Sequence, residues 1–122
     1  MKAILSKNKK KFTIGFLIII FIVFVVVRSK MIHTFSTERW VNDPQKRVDM
    51  VDNLLENHDL LGMTKEEVIL LLGKDTETEY FKTDGNLVYY LGPERGLISI
   101  DSEWLVLEIA ENQVTEVNIF RD

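Results

Sequence analysis

Cysteine is absent from all 122 residues, which excludes disulfides, thiolate chemistry, cysteine-ligated metals and a lipid-modified N-terminal cysteine together. Two prolines and six glycines are too few for a collagen-like or low-complexity chain, and two histidines leave little material for a metal centre. Two further absences are local. No acidic residue occurs from Met1 to Lys30, and no charge of either sign from Phe12 to Val27. The chain as a whole is 46% hydrophobic and 28% charged, in a length that supplies one ordinary domain, since domains centre on roughly 100 to 150 residues.

The charges that are present are divided unevenly. Met1 to Lys30 carries seven basic residues: Lys2, Lys7, Lys9, Lys10, Lys11, Arg28 and Lys30. The other 92 residues hold eight basic and nineteen acidic residues, a formal charge of −11. So acidic a surface argues against nucleic acid or anionic lipid as the main ligand, because both select clustered Lys and Arg.

The uncharged run Phe12–Val27 is 16 residues long. As a helix it covers about 24 Å at roughly 1.5 Å per residue, and snorkelling Lys11 and Arg28 extend it toward a hydrocarbon core of about 30 Å. Its β-branched residues suit a strand in water, but lipid requires every backbone hydrogen bond to be satisfied internally, and so a helix. Only Thr13 and Gly15 interrupt its apolar surface, which excludes an amphipathic core helix. A cleaved secretory signal shares the basic start and apolar middle, yet no small-x-small site follows this run; Arg28, Ser29 and Lys30 do. The reading is a transmembrane signal anchor over 12–28 that stays attached, preceded by a basic cytoplasmic N-terminus over 1–11. The positive-inside rule then sends the acidic domain across, so the expected location is the cell membrane, single-pass, with an extracytoplasmic C-terminal domain.

Residues 29–41 read as a short tether. Its aromatic residues Phe35 and Trp40 suit the headgroup zone or packing against the first helix of the domain, and packing is the favoured alternative. The domain is expected over 42–122. Asn42-Asp43-Pro44 marks a helix start, an Asx cap followed by proline where its missing N–H costs nothing. Val48, Val51, Leu54 and Leu55 recur at helical spacing, with Lys46, Arg47, Asp49 and Asp52 on the other face, up to about Asn57 or His58. Thr64 and Glu67 form a capping box for a second short helix with Val68, Ile69, Leu71 and Leu72 on its apolar side and Gly73 closing it.

After Gly73 the apolar period changes to two. Tyr80-Phe81 reads as a strand, Thr83 to Asn86 as a turn and Leu87 to Leu91 as its hairpin partner. Leu97 to Ile100 reads as a short edge strand. Trp104–Ala110 and Val114–Phe120 form a last hairpin around Glu111-Asn112, with Leu105, Leu107, Ile109, Val117 and Ile119 on one face. The expected fold class is α+β: an N-terminal transmembrane helix, then a two-layer domain with two helices packed on a three- to four-stranded antiparallel sheet, in α-α-β-β-β order.

Two short helices cover one face of such a sheet and leave the other to be explained. By alternation that face displays Val88, Tyr90, Trp104, Val106, Glu108, Glu116 and Asn118. Aromatic and aliphatic groups ringed by carboxylates make a candidate partner-binding surface. The alternative is that the tether or a loop folds over them.

The stretch Gly62-Met63-Thr64-Lys65-Glu66-Glu67-Val68, followed by Leu71-Leu72-Gly73, resembles the helix motif G-M-T-x-x-x-V-x-x-x-L-G of the SmpA/OmlA (BamE-like) family of small envelope proteins. The likeness runs from about Leu54 to Phe120. It implies a non-enzymatic envelope module whose α-α-β-β-β fold serves as a docking platform for other proteins. The chain departs from the family in having a signal anchor in place of a lipid-attachment cysteine, and Lys74-Asp75 where a proline usually follows the Leu-Gly. The fold is therefore carried over and the family's partners are not. Trp40 to Leu55, and Tyr90-Leu91-Gly92 followed by the Ile100-Asp101-Ser102-Glu103-Trp104-Leu105 run, also look like small uncharacterised membrane-anchored proteins.

His33 and His58 lie 25 residues apart without advertised partners, and a histidine at a helix end such as His58 serves the dipole. Glu66-Glu67 suits the first turn of a helix, and Asp101-Ser102-Glu103 is too short for a calcium cage. No phosphate loop, nucleophile elbow or Ser/His/Asp set is evident. The expectation is a protein that is not an enzyme, with no metal, no cofactor and no nucleic acid partner: a membrane-anchored, extracytoplasmic protein-binding module of the cell envelope. The alternative is an immunity or inhibitor protein that neutralises a toxin or enzyme arriving from outside, for which an acidic domain suits a basic target.

Overall fold

The computed structural model describes residues 2–122, with side chains from Ser6 onward. The chain divides into two compact units, Met1–His33 and Thr34–Asp122. The first is a single helix, α1 (Lys2–His33). Its stretch Ser6–His33 is long and apolar enough to cross a membrane. Every large apolar side chain from Phe12 to Val27 is exposed, on all sides of the helix, as a span surrounded by lipid requires.

The second unit is α+β. Three short α-helices, α2 (Thr37–Asn42), α3 (Val51–Asn57) and α4 (Lys65–Leu72), and a 3₁₀ helix Pro44–Asp49 precede one antiparallel sheet in the order β1 (Asn86–Pro93), β2 (Ser102–Ala110), β3 (Gln113–Arg121). The inner sheet face supplies Leu87, Tyr89, Leu91, Leu105 and Leu107 to the core, and the helices answer with Trp40, Met50, Val51, Leu54, Val68 and Leu72. None of these helices exceeds about two turns, so each owes its stability to docking on the sheet.

Residues 29–41, expected as a tether, are divided between the two units. Helix α1 continues through His33, and the domain takes over at Thr34. Ser36 caps α2 by accepting from Arg39 N at 3.3 Å. Trp40 is fully buried, its ring 5.8 Å from Phe35 and 6.2 Å from Tyr89.

The first helix of the domain also differs from expectation. Asp43 makes no side-chain cap, and the segment from Pro44 breaks into a 3₁₀ helix and α3, with Met50 between them. Arg47, expected on the solvent face, is buried. The tighter winding lets this segment lie directly against β1, where a Cβ on Gly92 would meet the Gln45 carbonyl.

Helix α4 follows its signals more closely. Thr64 accepts from Glu67 N at 3.1 Å, although its hydroxyl turns to the Glu67 carboxylate at 3.3 Å in place of the reciprocal half of a capping box. Gly73 closes the helix at positive φ, 75°. The last hairpin forms as expected, with Glu111 and Asn112 both at positive φ (52° and 60°) in its two-residue turn.

Two expected strands do not form. Tyr80-Phe81 lies in an irregular segment and Phe81 has φ of 59°, outside the β region, so the first expected hairpin is absent. Leu97–Ile100 belongs to an exposed loop closed at its neck by Glu94 N donating to Asp101 O at 2.9 Å.

Candidate functional site

The outer face of the sheet is organised in three rows set by register: Asn86–Glu108–Glu116, Val88–Val106–Asn118 and Tyr90–Trp104–Phe120. All seven residues expected to line a partner surface lie on this face. They do not share one exposure. Val88 (0%), Val106 (1%) and Trp104 (6%) are buried, while Tyr90, Glu108 and Asn118 are half-buried and Glu116 is exposed. The apolar centre of the face is thus covered, while Phe120 at its margin and the carboxylates Glu108 and Glu116 meet solvent to differing degrees; Asn118 donates to Glu116 Oε1 at 2.8 Å.

The cover is the irregular segment 74–85. Its Tyr80 and Phe81 rings sit 5.6 Å and 6.5 Å from Trp104, and Phe81 stacks on Phe120 at 5.3 Å. Val88, Trp104, Val106, Phe81 and Tyr90 form a second, smaller hydrophobic cluster. Trp104 Nε1 donates to Asp122 Oδ2 at 2.9 Å while Ser102 N donates to Asp122 Oδ1 at 2.9 Å. Those two bonds, the backbone one foremost, hold the Asp122 carboxyl below its ordinary range.

The same segment treats the free edge of β1. Thr76 N donates to Val88 O (2.7 Å), Val88 N donates to Asp75 Oδ2 (3.3 Å) and Tyr90 N donates to Thr76 Oγ1 (2.9 Å). Lys82 Nζ reaches both Asp75 Oδ2 (2.9 Å) and Asn86 O (2.6 Å), and Arg47 Nη1 donates to Tyr90 O (3.0 Å). A peptide strand adding to this edge would have to displace all of them.

The edge of β3 is treated differently. Val88 and Tyr90 turn their backbone groups outward on β1, so Trp104 and Val106 face β3, and Asn118 and Phe120 face back toward β2. Val117, Ile119 and Arg121 therefore present their N–H and C=O groups to the outside. At the start of the strand Gly62 N and Met63 O pair with Val114. Beyond it, among the described residues, no hydrogen bond reaches the outward backbone of Val117, Ile119 or Arg121. Alternation alone does not find this edge; it follows from pairing order, which the sequence does not state.

Other charged groups are committed to structure. Arg95 forks onto Glu103, with Nε to Oε2 at 3.0 Å and Nη2 to Oε1 at 3.0 Å, while its own N–H adds a bond to Oε2 at 2.8 Å. Burial alone pushes the Glu103 carboxyl up, but the hydrogen bonds and charge of Arg95 outweigh it and hold the carboxyl below its ordinary range. Arg95 in turn is raised, chiefly by its bonds to Glu103. Glu66 accepts from Asn112 Nδ2 at 3.0 Å, which lowers it. The His58 ring packs edge-on to Phe35 at 5.4 Å, and His33 bonds the carbonyl of Ser29 within α1. Among the described residues no three His, Asp or Glu side chains gather as a metal site would require. None of the protein-family models, curated proteins or solved structures compared with the chain matches it.

Proposed function

We propose that this chain is a membrane-anchored, extracytoplasmic module that binds an envelope protein by accepting an extended strand along β3. One observation carries the reading: the two sheet edges are finished unequally. The β1 edge is filled by Asp75, Thr76, Lys82 and Arg47, whereas the β3 edge from Thr115 to Arg121 leaves its outward backbone groups open. An open edge of this kind is a liability unless a partner uses it, and strand addition gives affinity through main-chain bonds. The side chains of that edge alternate, Val117 and Ile119 toward the core and Glu116 and Asn118 outward, so an added strand would meet an apolar row on one side and a polar row on the other.

Three further features support the reading. Helix α1 is long and apolar enough for a span, five lysines precede its apolar core and the domain beyond it is acidic. The likeness of Gly62–Gly73 to the SmpA/OmlA motif points to a docking platform rather than an enzyme. The apolar centre of the outer face is covered by residues 74–85, which leaves the β3 edge and the neighbouring Glu116 accessible to a partner on this side of the domain. The domain's charge of −11 favours as second reading an immunity or inhibitor protein, which would use the same edge against a basic target.

Photo-crosslinkers at Thr115 and Arg121 test the proposal in native membranes. Both positions are exposed and flank the open edge, and Lys74 serves as a remote control. A discrete adduct from the two edge positions and none from Lys74 is expected. Adducts of equal yield from all three, or from Lys74 alone, would remove β3 as the docking edge.

A further inference from the structure

Leu97, Ile98 and Ile100 are 106%, 72% and 81% exposed, three large aliphatic side chains within four residues. Single exposed apolar residues are ordinary, but a cluster at one loop tip is a contact surface. The loop is also held in shape. Glu94 N closes its neck on Asp101 O (2.9 Å), Ser99 Oγ donates to Glu94 O (2.7 Å), and Arg95 pins the neck to Glu103 and to Asp52, the latter at 2.9 Å. From Gly96 to Ile100 it has no charged side chain, so the neck presents an uncharged apolar tip.

Its position in the domain indicates what covers it. The chain enters the domain at Thr34, and Phe35 N donates to Asn53 Oδ1 at 2.8 Å. Arg95, at the root of the loop, bonds Asp52, the residue immediately before Asn53 on α3. Consecutive α-carbons are about 3.8 Å apart, so neighbouring residues clasp the loop root and the point where the chain arrives. That point is close to the end of the apolar helix. Helix α1 runs on only from Val27 to His33 before the domain begins, about 9 Å at 1.5 Å per residue.

From these placements we propose that the loop tip Leu97-Ile98-Ser99-Ile100 dips into the outer leaflet of the membrane that α1 spans, giving the domain a second, non-covalent membrane contact. The inference rests on the anchor reading given above. Lipid is favoured over a protein partner because the tip is aliphatic without the aromatic or arginine anchors that protein interfaces concentrate, and because neighbouring residues of α3, Asp52 and Asn53, hold the loop root and the point where the chain enters the domain. The contact is apolar in character. An acidic domain gains nothing from anionic headgroups, so insertion is expected to be insensitive to salt and to persist on neutral bilayers.

The cysteine-free chain allows a direct test by site-directed spin labelling of the full protein in phosphatidylcholine vesicles. Nitroxides are placed at Ile98 (I98C), at Phe24 in the apolar helix (F24C) and at Lys74 on the domain (K74C). Accessibility to oxygen relative to a polar nickel reagent is then compared. F24C reports whether the anchor is in the bilayer at all. With F24C in lipid, I98C is expected to read at interfacial depth in low and high salt alike. It is expected to fall to the K74C value when Leu97 and Ile100 are both changed to Ser, exposed side chains with no part in the hydrogen bonds that hold the loop. I98C equal to K74C overturns the proposal, as does I98C shielded from both reagents, the signature of a protein contact such as a second copy. An aqueous F24C instead overturns the anchor reading itself.

Discussion

Arg47 donates through Nε to the carbonyl of Trp40 at 2.7 Å while its guanidinium carbon lies 5.0 Å over the indole ring of the same residue. Its Nη1 continues to the Tyr90 carbonyl on the outer edge of β1 at 3.0 Å. One side chain thereby joins α2, the 3₁₀ helix and the sheet. Replacing it with alanine leaves two carbonyls without partners, and Arg47→Ala should cost about 2–4 kcal/mol. Arg47→Lys should recover only part of that, because an ammonium cannot fork to two carbonyls and stack on an indole together. Urea denaturation of the micelle-bound chain reads both, and full rescue by lysine would contradict the role given to the guanidinium.

The ion pair between Arg95 and Glu103 gives stability a pH dependence of defined sign. The folded Glu103 carboxyl lies below its ordinary value, so its contribution is present above the unfolded pKa and is lost as pH falls through the folded one. The loss should begin near the ordinary glutamate value of about 4.3 and deepen below it. Arg95, raised in the folded state, stays charged throughout this window and adds no slope. Glu103→Gln should lower stability at neutral pH by about 1–3 kcal/mol, discounted for the partly exposed arginine, and flatten the acid limb. An acid limb as steep in the variant would assign the slope to other carboxylates.

Phe81 holds the cover on the outer face through its stack on Phe120 at 5.3 Å. Phe81→Ala should cost about 1–3 kcal/mol and open Trp104 to solvent. Acrylamide quenching separates the two tryptophans, since Trp40 belongs to the main core and should remain shielded. Unchanged quenching would mean that residues 74–80 cover Trp104 without Phe81.

Two glycines at positive φ should answer differently to alanine. At Gly92 (φ 128°) a Cβ meets the backbone carbonyl of Gln45, and the 3₁₀ helix would have to move away from β1. Gly92→Ala should therefore cost about 2–4 kcal/mol. At Gly62 (φ 84°) nothing stands within 4 Å, and only the strain of about 1–2 kcal/mol applies. Thermal unfolding of the two variants side by side checks the order.

Much of the domain was legible because local chemistry and tertiary structure agree in it. Thr64, Val68 and Gly73 mark α4 by cap, apolar face and stop, and the apolar run from Trp104 to Ile109 with its return from Val114 to Phe120 around Glu111-Asn112 marks the last hairpin. The failures lie where tertiary contacts override local preference. Tyr80 and Phe81 have strand-forming side chains, but their rings serve as a lid and the backbone at Phe81 turns to positive φ to place them. Arg47 looks like a solvent residue until two distant carbonyls need a donor. The outer face carried the relevant signal, since Val88, Val106 and Trp104 on one open face require a cover, and an aromatic pair lay just before β1 to supply it. Neither the open β3 edge nor the bond from Arg95 to Asp52 has a local signature, because both depend on which elements become neighbours.

The account depends most on α1 remaining attached and crossing the bilayer with the domain outside. The absence of cysteine makes the measurement clean: single cysteines at Lys7 and Lys74 are probed with a membrane-impermeant maleimide on intact cells and again after lysis, alongside alkaline extraction of the membranes. The account predicts a chain that resists extraction, with Lys74→Cys labelled on intact cells and Lys7→Cys labelled only after lysis. Release by alkali, or the opposite order of labelling, would contradict it.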